Sequence, residues 1–272
     1  MSDFYDDLYS NPLEKTVRKS NELIQKSRFN LSLQQQKIVL YLISHISPYD
    51  DDFKTFDFDI REFCRACGID YDNGGNYELL KKQIKAIRDE SLWLALNDED
   101  ETETLFNWIE KARIKKKSGI VQIRLDEDLK PYLLQLKENF TKYEIIYTLN
   151  FKSKYTIRLY ELIKSIHYQE IEQLEYVFSL DKLRKLTGAE KYKTYQHFKD
   201  RVLKMAVKEI NQYSDKKVSF EPISNPGGKR VCAIRFYISS KSPTETAKIA
   251  GEIAKNINYN QIVFEGFDGV EF

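Results

Sequence analysis

The chain has 272 residues, 42% of them hydrophobic, which is enough to bury one large core or two ordinary ones. No run of about 18 or more apolar residues occurs, and the N-terminus shows no signal-peptide pattern, so we expect a cytoplasmic protein with no membrane partner. The three cysteines are an odd number and indicate no disulfide framework.

The formal net charge of +1 conceals an uneven distribution of charge. Residues 153–241 contain 18 Lys/Arg against 10 Asp/Glu, whereas residues 242–272 contain 2 against 5. A basic segment of this size is a candidate surface for a polyanion such as nucleic acid. Residues 1–14 are acidic and are predicted to form a flexible N-terminus.

An internal repeat begins with a predicted helix. Ile38-Val39-Leu40-Tyr41 recurs as Ile157-Arg158-Leu159-Tyr160, at an offset of 119 residues. The surrounding runs, 35–46 and 154–167, are both amphipathic, which predicts a helix at the same place in each copy.

A strand and a short helix follow in both copies. Short alternating runs at 56–58 and 176–178 predict strands, and Asp59 and Ser179 are suitable N-caps for the helices that come next. Glycine is expected to end each short helix. The matched positions are Phe58, Ile60, Phe63 and Gly68 in the first copy and Phe178, Leu180, Leu183 and Gly188 in the second.

A third helix and a β-hairpin complete each copy. The helix is indicated by apolar residues spaced by three and four, namely Tyr77, Leu80, Ile84 and Ile87, matched by Tyr195, Phe198, Val202 and Met205. The predicted hairpins pair 105–113 with 120–125 and 217–223 with 230–238. This order of elements is that of a winged helix-turn-helix.

The predicted fold class is therefore α+β, with two tandem winged-helix domains related by internal duplication. The first domain is placed at 15–138 and the second at 139–241. Residues 242–272 form a tail in which 244–257 fit an amphipathic helix, and a docked helix and a mobile acidic tail remain open alternatives.

The third helix of the second domain is the first candidate for DNA contact. Its apolar stripe is expected to bury Tyr195, Phe198, Val202, Met205, Ala206 and Ile210. The opposite face would carry the residue types that contact base edges, and the alternative is an ordinary solvated helix face. The candidate contacts are Lys193, Gln196, His197, Asp200, Arg201 and Lys204.

The tips of both hairpins are basic and are suited to phosphate contact. The cations are Lys229 and Arg230 in the second domain and Arg113, Lys115, Lys116 and Lys117 in the first. The third helix of the first domain carries less positive charge, with Glu78, Lys82, Gln83 and Ala86 at the matched positions. We therefore expect the second domain to supply most sequence readout, and the first to add backbone contacts, weaker readout or a protein-protein surface.

No catalytic or metal-binding constellation is apparent, so neither an enzyme nor a cofactor is expected. Cys64 and Cys67 have zinc-like spacing but lack a second Cys or His pair. The histidines, His45, His167 and His197, are isolated from one another, which argues against metal-assisted DNA nicking by one of the tyrosines.

The chain resembles the RepB-type plasmid replication initiators, which bind repeated origin sequences called iterons. The resemblance spans about residues 15 to 241. It depends on an ordered set of segments rather than one motif: 17–24, 31–37, Phe58-Asp59-Ile60, and, in the second domain, Tyr195, Phe198, Lys199, Val202, Leu203, Ala206 and Glu209-Ile210-Asn211.

The resemblance implies a protein that binds double-stranded iterons as a monomer, helps to open the duplex, and recruits the host initiator and replicative helicase. It also implies a homodimer, formed partly through the first domain, that represses the protein's own operator. The family's main recognition helix corresponds to 191–214 here. A transcriptional regulator with tandem winged helices and no role in initiation is the alternative, because fold alone does not separate the two.

Overall fold

The computed structural model describes residues 15–66, 76–97, 102–115, 118–167, 172–228 and 230–265. In the described part of the chain, no helix is both long enough and apolar enough to cross a membrane. The elements of the first half are β1 (Thr16–Ser20), α1 (Asn21–Lys26), β2 (Ser27–Arg28), α2 (Leu33–Ile43), β3 (Phe56–Asp59), α3 (Ile60–Ala66), α4 (Asn76–Asp89), β4 (Leu92–Asn97), β5 (Thr102–Phe106), β6 (Ile109–Lys115) and β7 (Ile120–Leu125).

The second half begins with short connecting elements and continues into another set of helices and strands. After a 3-10 turn at Glu127–Leu129 come α5 (Lys130–Leu133), β8 (Phe140–Glu144), α6 (Ile146–Leu149), α7 (Lys154–Ile166), β9 (Gln173–Ser179) and α8 (Leu180–Thr187). A third helix, α9, spans 195–213 and is followed by β10 (Lys216–Ser224), β11 (Val231–Ser240) and α10 (Pro243–Glu265).

The two winged-helix sheets have the same topology, as the repeat predicts. In the first, the order is β3-β7-β6, and Phe58 lies opposite Val121; in the second it is β9-β11-β10, and Phe178 lies opposite Ile234. All four of these side chains are buried, so matched positions fill matched cores. Asp59 and Ser179 cap the helices that follow by accepting backbone N–H groups.

The first hairpin differs from its prediction. The segment predicted as one strand, 105–113, is divided into β5, which pairs with β4, and β6, which pairs with β7. The division occurs at Trp108, whose side chain is buried and whose carbonyl oxygen accepts a hydrogen bond from the Asp126 backbone N–H. Burial of this large indole bends the chain out of one sheet and into the next.

A polar network is buried where α7 meets the first half of the chain. The Glu161 carboxylate lies 2.7 Å from Lys19 Nζ and 3.3 Å from Arg158 Nη1, and Tyr143 donates its hydroxyl to the same carboxylate. The three charged residues are each no more than 3% exposed. Burial would raise the pKa of Glu161, but the charges of Lys19 and Arg158 outweigh burial and lower it.

Arg158 joins elements of both halves. Its guanidinium donates to the carbonyl oxygens of Ile24, Ser27 and Leu186, and it lies 4.5 Å from the centre of the Phe29 ring. Strand β8 also pairs with β1 at the start of the chain. The predicted boundary between 138 and 139 stays a prediction, and these contacts cross it.

Gly188 ends α8 in the left-handed conformation, with φ of +65°, as predicted for this glycine. A Cβ at this position would lie 3.1 Å from the Phe29 carbonyl oxygen. Gly68, its counterpart, lies outside the described residues.

We expect Gly188→Ala to destabilise the chain by about 1–2 kcal/mol, because alanine disfavours this backbone conformation. Urea unfolding would measure the loss. Gly251→Ala is the matched control: Gly251 lies in α10 with open space around it and should gain about 0.5–1 kcal/mol. Equal stabilities for the two variants would contradict the argument.

The first part of the tail forms a helix that packs against the second domain. Helix α10 packs against α6 and α9 and buries Ile253 to 2% exposure. Lys217 pairs with Glu245 at its first turn, at 2.9 Å. The helix predicted at 244–257 lies within α10, and of the two alternatives left open by the sequence the docked helix fits residues 243–255, whose burial the structure describes.

Candidate nucleic-acid interface

The exposed face of helix α9 is the candidate surface for contact with DNA bases. Thr194 caps it by accepting the His197 backbone N–H at 3.3 Å. Phe198, Val202, Ala206 and Ile210 are fully buried, as predicted. Lys193 lies just before the helix rather than on its face, so it is part of the turn that leads into α9.

The prediction that Met205 is buried is wrong. Met205 is 48% exposed, and Leu203 is buried instead. The cause is a π-helical turn at Lys199–Leu203, between the α-helical segments Tyr195–Phe198 and Lys204–Tyr213, in which the Lys204 N–H donates to the Lys199 carbonyl oxygen. A wider turn rotates every later side chain about the axis, and such turns are frequent at functional sites.

Three candidate residues form a network along the exposed face. Gln196 donates its amide to one oxygen of Asp200 at 2.6 Å, and Lys204 Nζ lies 2.8 Å from the other. The hydrogen bond from Lys204 lowers the pKa of Asp200, so this carboxylate is charged at neutral pH. His197 and Arg201 are exposed on the same helix.

Replacement of Asp200 by asparagine should increase binding to unrelated DNA. The change keeps the shape but removes a negative charge from a face expected to approach phosphates, so the affinity should rise roughly fivefold. Binding of a scrambled duplex would measure it. Glu252→Gln, at an exposed position on α10, is the control and should leave affinity unchanged; an increase in both variants would show only a general effect of net charge.

Two cationic residues at the site were missed by the sequence reasoning. Lys208 is exposed one turn beyond Lys204 and extends the same face, and its spacing of four residues was the available signal. Arg184 positions the turn before α9: it donates to the Lys193 carbonyl oxygen at 2.9 Å and lies over the Phe198 ring. Nothing in the local sequence around Arg184 predicts those contacts.

The wing of the second domain is the hairpin of β10 and β11, and its tip is an open turn. The Asn225 N–H donates to the Arg230 carbonyl oxygen at 3.1 Å. Gly227 adopts a φ of +72°, and no atom of the described residues lies within 4 Å of the place that a Cβ would occupy. Arg230 is exposed, while Lys229 lies outside the described residues. The described residues of the turn, 225–228 and 230, are all exposed.

The first domain also presents exposed cations. Arg113 and Lys115 are exposed on β6, and Lys116 and Lys117 lie outside the described residues. On α4, Lys81 lies 3.3 Å from Glu78, and Lys85 pairs with Asp89. Helices α4 and α9 each carry four Lys/Arg and two Asp/Glu, so net charge does not distinguish them, and the divergence in function between the two copies stays a prediction.

The described ranges contain no group of three or more His, Cys, Asp or Glu side chains that could hold a metal ion. Cys64 is buried, and burial raises the pKa of its thiol to about 12. Cys67 lies outside the described residues. Burial also lowers the pKa of His45 to about 4, and its imidazole packs against Tyr41.

Together, the duplicated topology and the polar helix face define a tandem winged-helix protein of the DNA-binding class. Residues 16–164 match the family described as "Initiator Replication protein, WH1", and residues 179–238 match "Initiator Rep protein, WH2". These matches cover most of the chain, so it belongs to the initiator replication protein family. The expected fold class and the resemblance to replication initiators are both confirmed.

Two similar proteins extend these matches. A replication initiation protein of Escherichia coli is 25% identical over 219 residues, which cover 78% of this chain and 67% of that protein. The crystal structure of the Pi initiator protein in complex with iteron DNA matches with a TM-score of 0.65 and 18% identity, over 86% of this chain and 100% of that one. The structural likeness shows a shared fold.

Proposed function

We propose that this protein initiates plasmid replication by binding iterons, the repeated double-stranded sequences at the origin. The exposed face of α9 carries the proposal, because it combines the amide, carboxylate and cationic groups that pair with base edges in the major groove. Membership in the initiator replication protein family supports it, and so does the shared fold with an initiator whose structure contains iteron DNA.

The two domains have unequal roles in this proposal. Arg201, Lys204 and their neighbours on α9 contact bases, and the wing tip at Arg230 contacts the backbone. The first domain contributes Arg113 and Lys115 to backbone contacts and supplies the homodimer surface. The monomer binds iterons and opens the duplex with host initiator and helicase proteins, whereas the dimer represses the protein's own operator.

We further propose that the protein acts by binding and not by catalysis. The polar side chains of α9 are arranged along a surface rather than converging on one reacting atom, whereas hydrolysis or transfer requires groups that converge. Metal-dependent nicking of a supercoiled origin plasmid would contradict this proposal.

The test of iteron binding compares origin repeats with a scrambled duplex of equal length as salt is raised from about 50 to 200 mM. Binding to phosphates alone weakens steeply with salt on both duplexes, whereas base contacts maintain a preference for the repeats. Equal loss on both duplexes would contradict iteron recognition.

A second measurement separates an initiator from an operator-binding regulator. Reactivity of unpaired thymines to permanganate should appear at the origin when the protein and host initiation proteins are added together. A protein that binds the repeats and leaves the strands paired under these conditions would be a regulator.

A further inference from the structure

The two edge strands of the second domain's sheet, β9 and β10, differ in whether they carry residues that prevent pairing with another strand. In the sheet order β10-β11-β9, both β10 and β9 are edge strands within the described residues. Strand β10 carries an exposed lysine, Lys217, and an exposed proline, Pro222, which are residues that proteins use to prevent pairing at a sheet edge. Strand β9, with the sequence QLEYVFS, has neither.

Strand β9 also exposes apolar side chains on both of its faces. Tyr176 is 37% exposed and Val177 is 48% exposed, and adjacent residues in a strand point to opposite faces. The equivalent strand of the first domain, β3, has four residues against seven in β9. The longer strand leaves more of its backbone edge available for pairing.

The charge at this edge indicates the chemistry of an occupant. Glu172 and Glu175 are exposed beside the apolar pair. The nearest cation, Arg235, lies 3.9 Å from Glu175 but only 2.8 Å from Glu221, so Glu175 is weakly neutralised. An extended segment that combines basic and apolar residues is complementary to such an edge, whereas a second copy of β9 would bring the same carboxylates together.

We propose that β9 is a docking strand for an extended, basic segment of a partner protein, which pairs with the backbone edge of β9 that no described strand occupies. The strand runs from Gln173, opposite Ser239 at the base of the wing, to Ser179, opposite Ala233. Val177 lies opposite Arg235, five residues along the chain from Arg230 at the wing tip, so a partner paired with β9 up to this residue leaves the tip available for DNA. The inference deepens the proposed recruitment of host proteins and rests on it.

The test uses random peptides of strand length displayed on phage, selected against the full chain without DNA. Enriched peptides should alternate basic and apolar residues and should bind the Val177→Lys variant at least about tenfold more weakly, because an edge lysine disfavours pairing and repels cations. Leu105→Lys is the matched control: Leu105 is 49% exposed on β5 of the first domain, and this variant should bind the peptides normally.

Hydrogen exchange on the complex supplies a second, structural readout. Backbone amides of 173–179 should gain protection when a selected peptide is added. Protection confined to another segment would overturn the proposal, as would equal binding by the Val177→Lys variant or loss of binding in Leu105→Lys. Self-association that disappears in Val177→Lys would assign the edge to a second copy and also overturn it.

Failure of this inference is distinguishable from failure of the proposed function. Peptide selection requires no origin, and binding of origin repeats by Val177→Lys should stay within about twofold of the unaltered chain. Absence of peptides that depend on Val177, with intact origin binding, would reject the docking strand alone. Failure to prefer origin repeats would reject the proposed function whatever the peptide result.

Discussion

Glu161→Ala is expected to lower the free energy of unfolding by about 3–5 kcal/mol, which is the usual cost of breaking a buried ion pair from one side. The variant leaves Lys19 and Arg158 charged, almost wholly buried and close to each other. Tyr143 also loses the acceptor of its hydroxyl. Chemical denaturation of the full chain would measure the loss.

An exposed ion pair provides the control for this prediction. Asp181 lies 3.2 Å from Arg184, with the Asp181 side chain 83% exposed, so Asp181→Ala should cost less than about 1 kcal/mol. The pH dependence provides a further check. Because the pKa of Glu161 is lowered on folding, its stabilisation is complete at neutral pH and is lost as acid protonates it. The stability gap between Glu161→Ala and the unaltered chain should therefore narrow in acid.

Arg201→Ala is expected to weaken binding of origin repeats by about 1–3 kcal/mol, or roughly 5- to 150-fold, while binding of scrambled DNA changes much less. An arginine that donates two hydrogen bonds to guanine supplies both affinity and discrimination, and alanine supplies neither. Lys204→Ala should act in the same direction. Fluorescence anisotropy with both duplexes at one salt concentration would give the two affinities.

A substitution at the hairpin tip of the first domain provides the comparison with Arg201→Ala. Lys116→Ala should weaken binding to both duplexes to a similar extent, because a phosphate contact carries no sequence information. Lys248→Ala, at an exposed position on α10, controls for the loss of one positive charge. If Lys116→Ala reduced discrimination as much as Arg201→Ala, the assignment of readout to the second domain would be wrong.

The duplicated topology could be predicted from sequence because buried apolar residues recur at matched spacings. Phe58 and Phe178 occupy equivalent strand positions in the two sheets, and Gly188 ends its helix as expected. These features depend on local periodicity and on backbone conformations that few residue types adopt. The same periodicity also predicted the polar face of α9.

Other features depend on contacts between distant residues. A prediction from helical periodicity takes the number of residues per turn as constant. It therefore placed Met205 in the core, whereas the π-helical turn exposes this residue. The division of one predicted strand at Trp108 follows from burial of its side chain against remote elements. The contacts of Lys19 with Glu161 join residues that are 142 positions apart in the chain, beyond any local pattern.

The pairing of β1 with β8 limits how this protein could exchange parts in evolution. A gene fragment that carried only the second winged helix and the strand before it, β8, would encode Tyr143 and Glu161 without the partners supplied by residues 16–20. The two units are similar in topology, but β8, just before the second, pairs with a strand from the beginning of the first. Recombination that exchanged both units together would preserve these contacts.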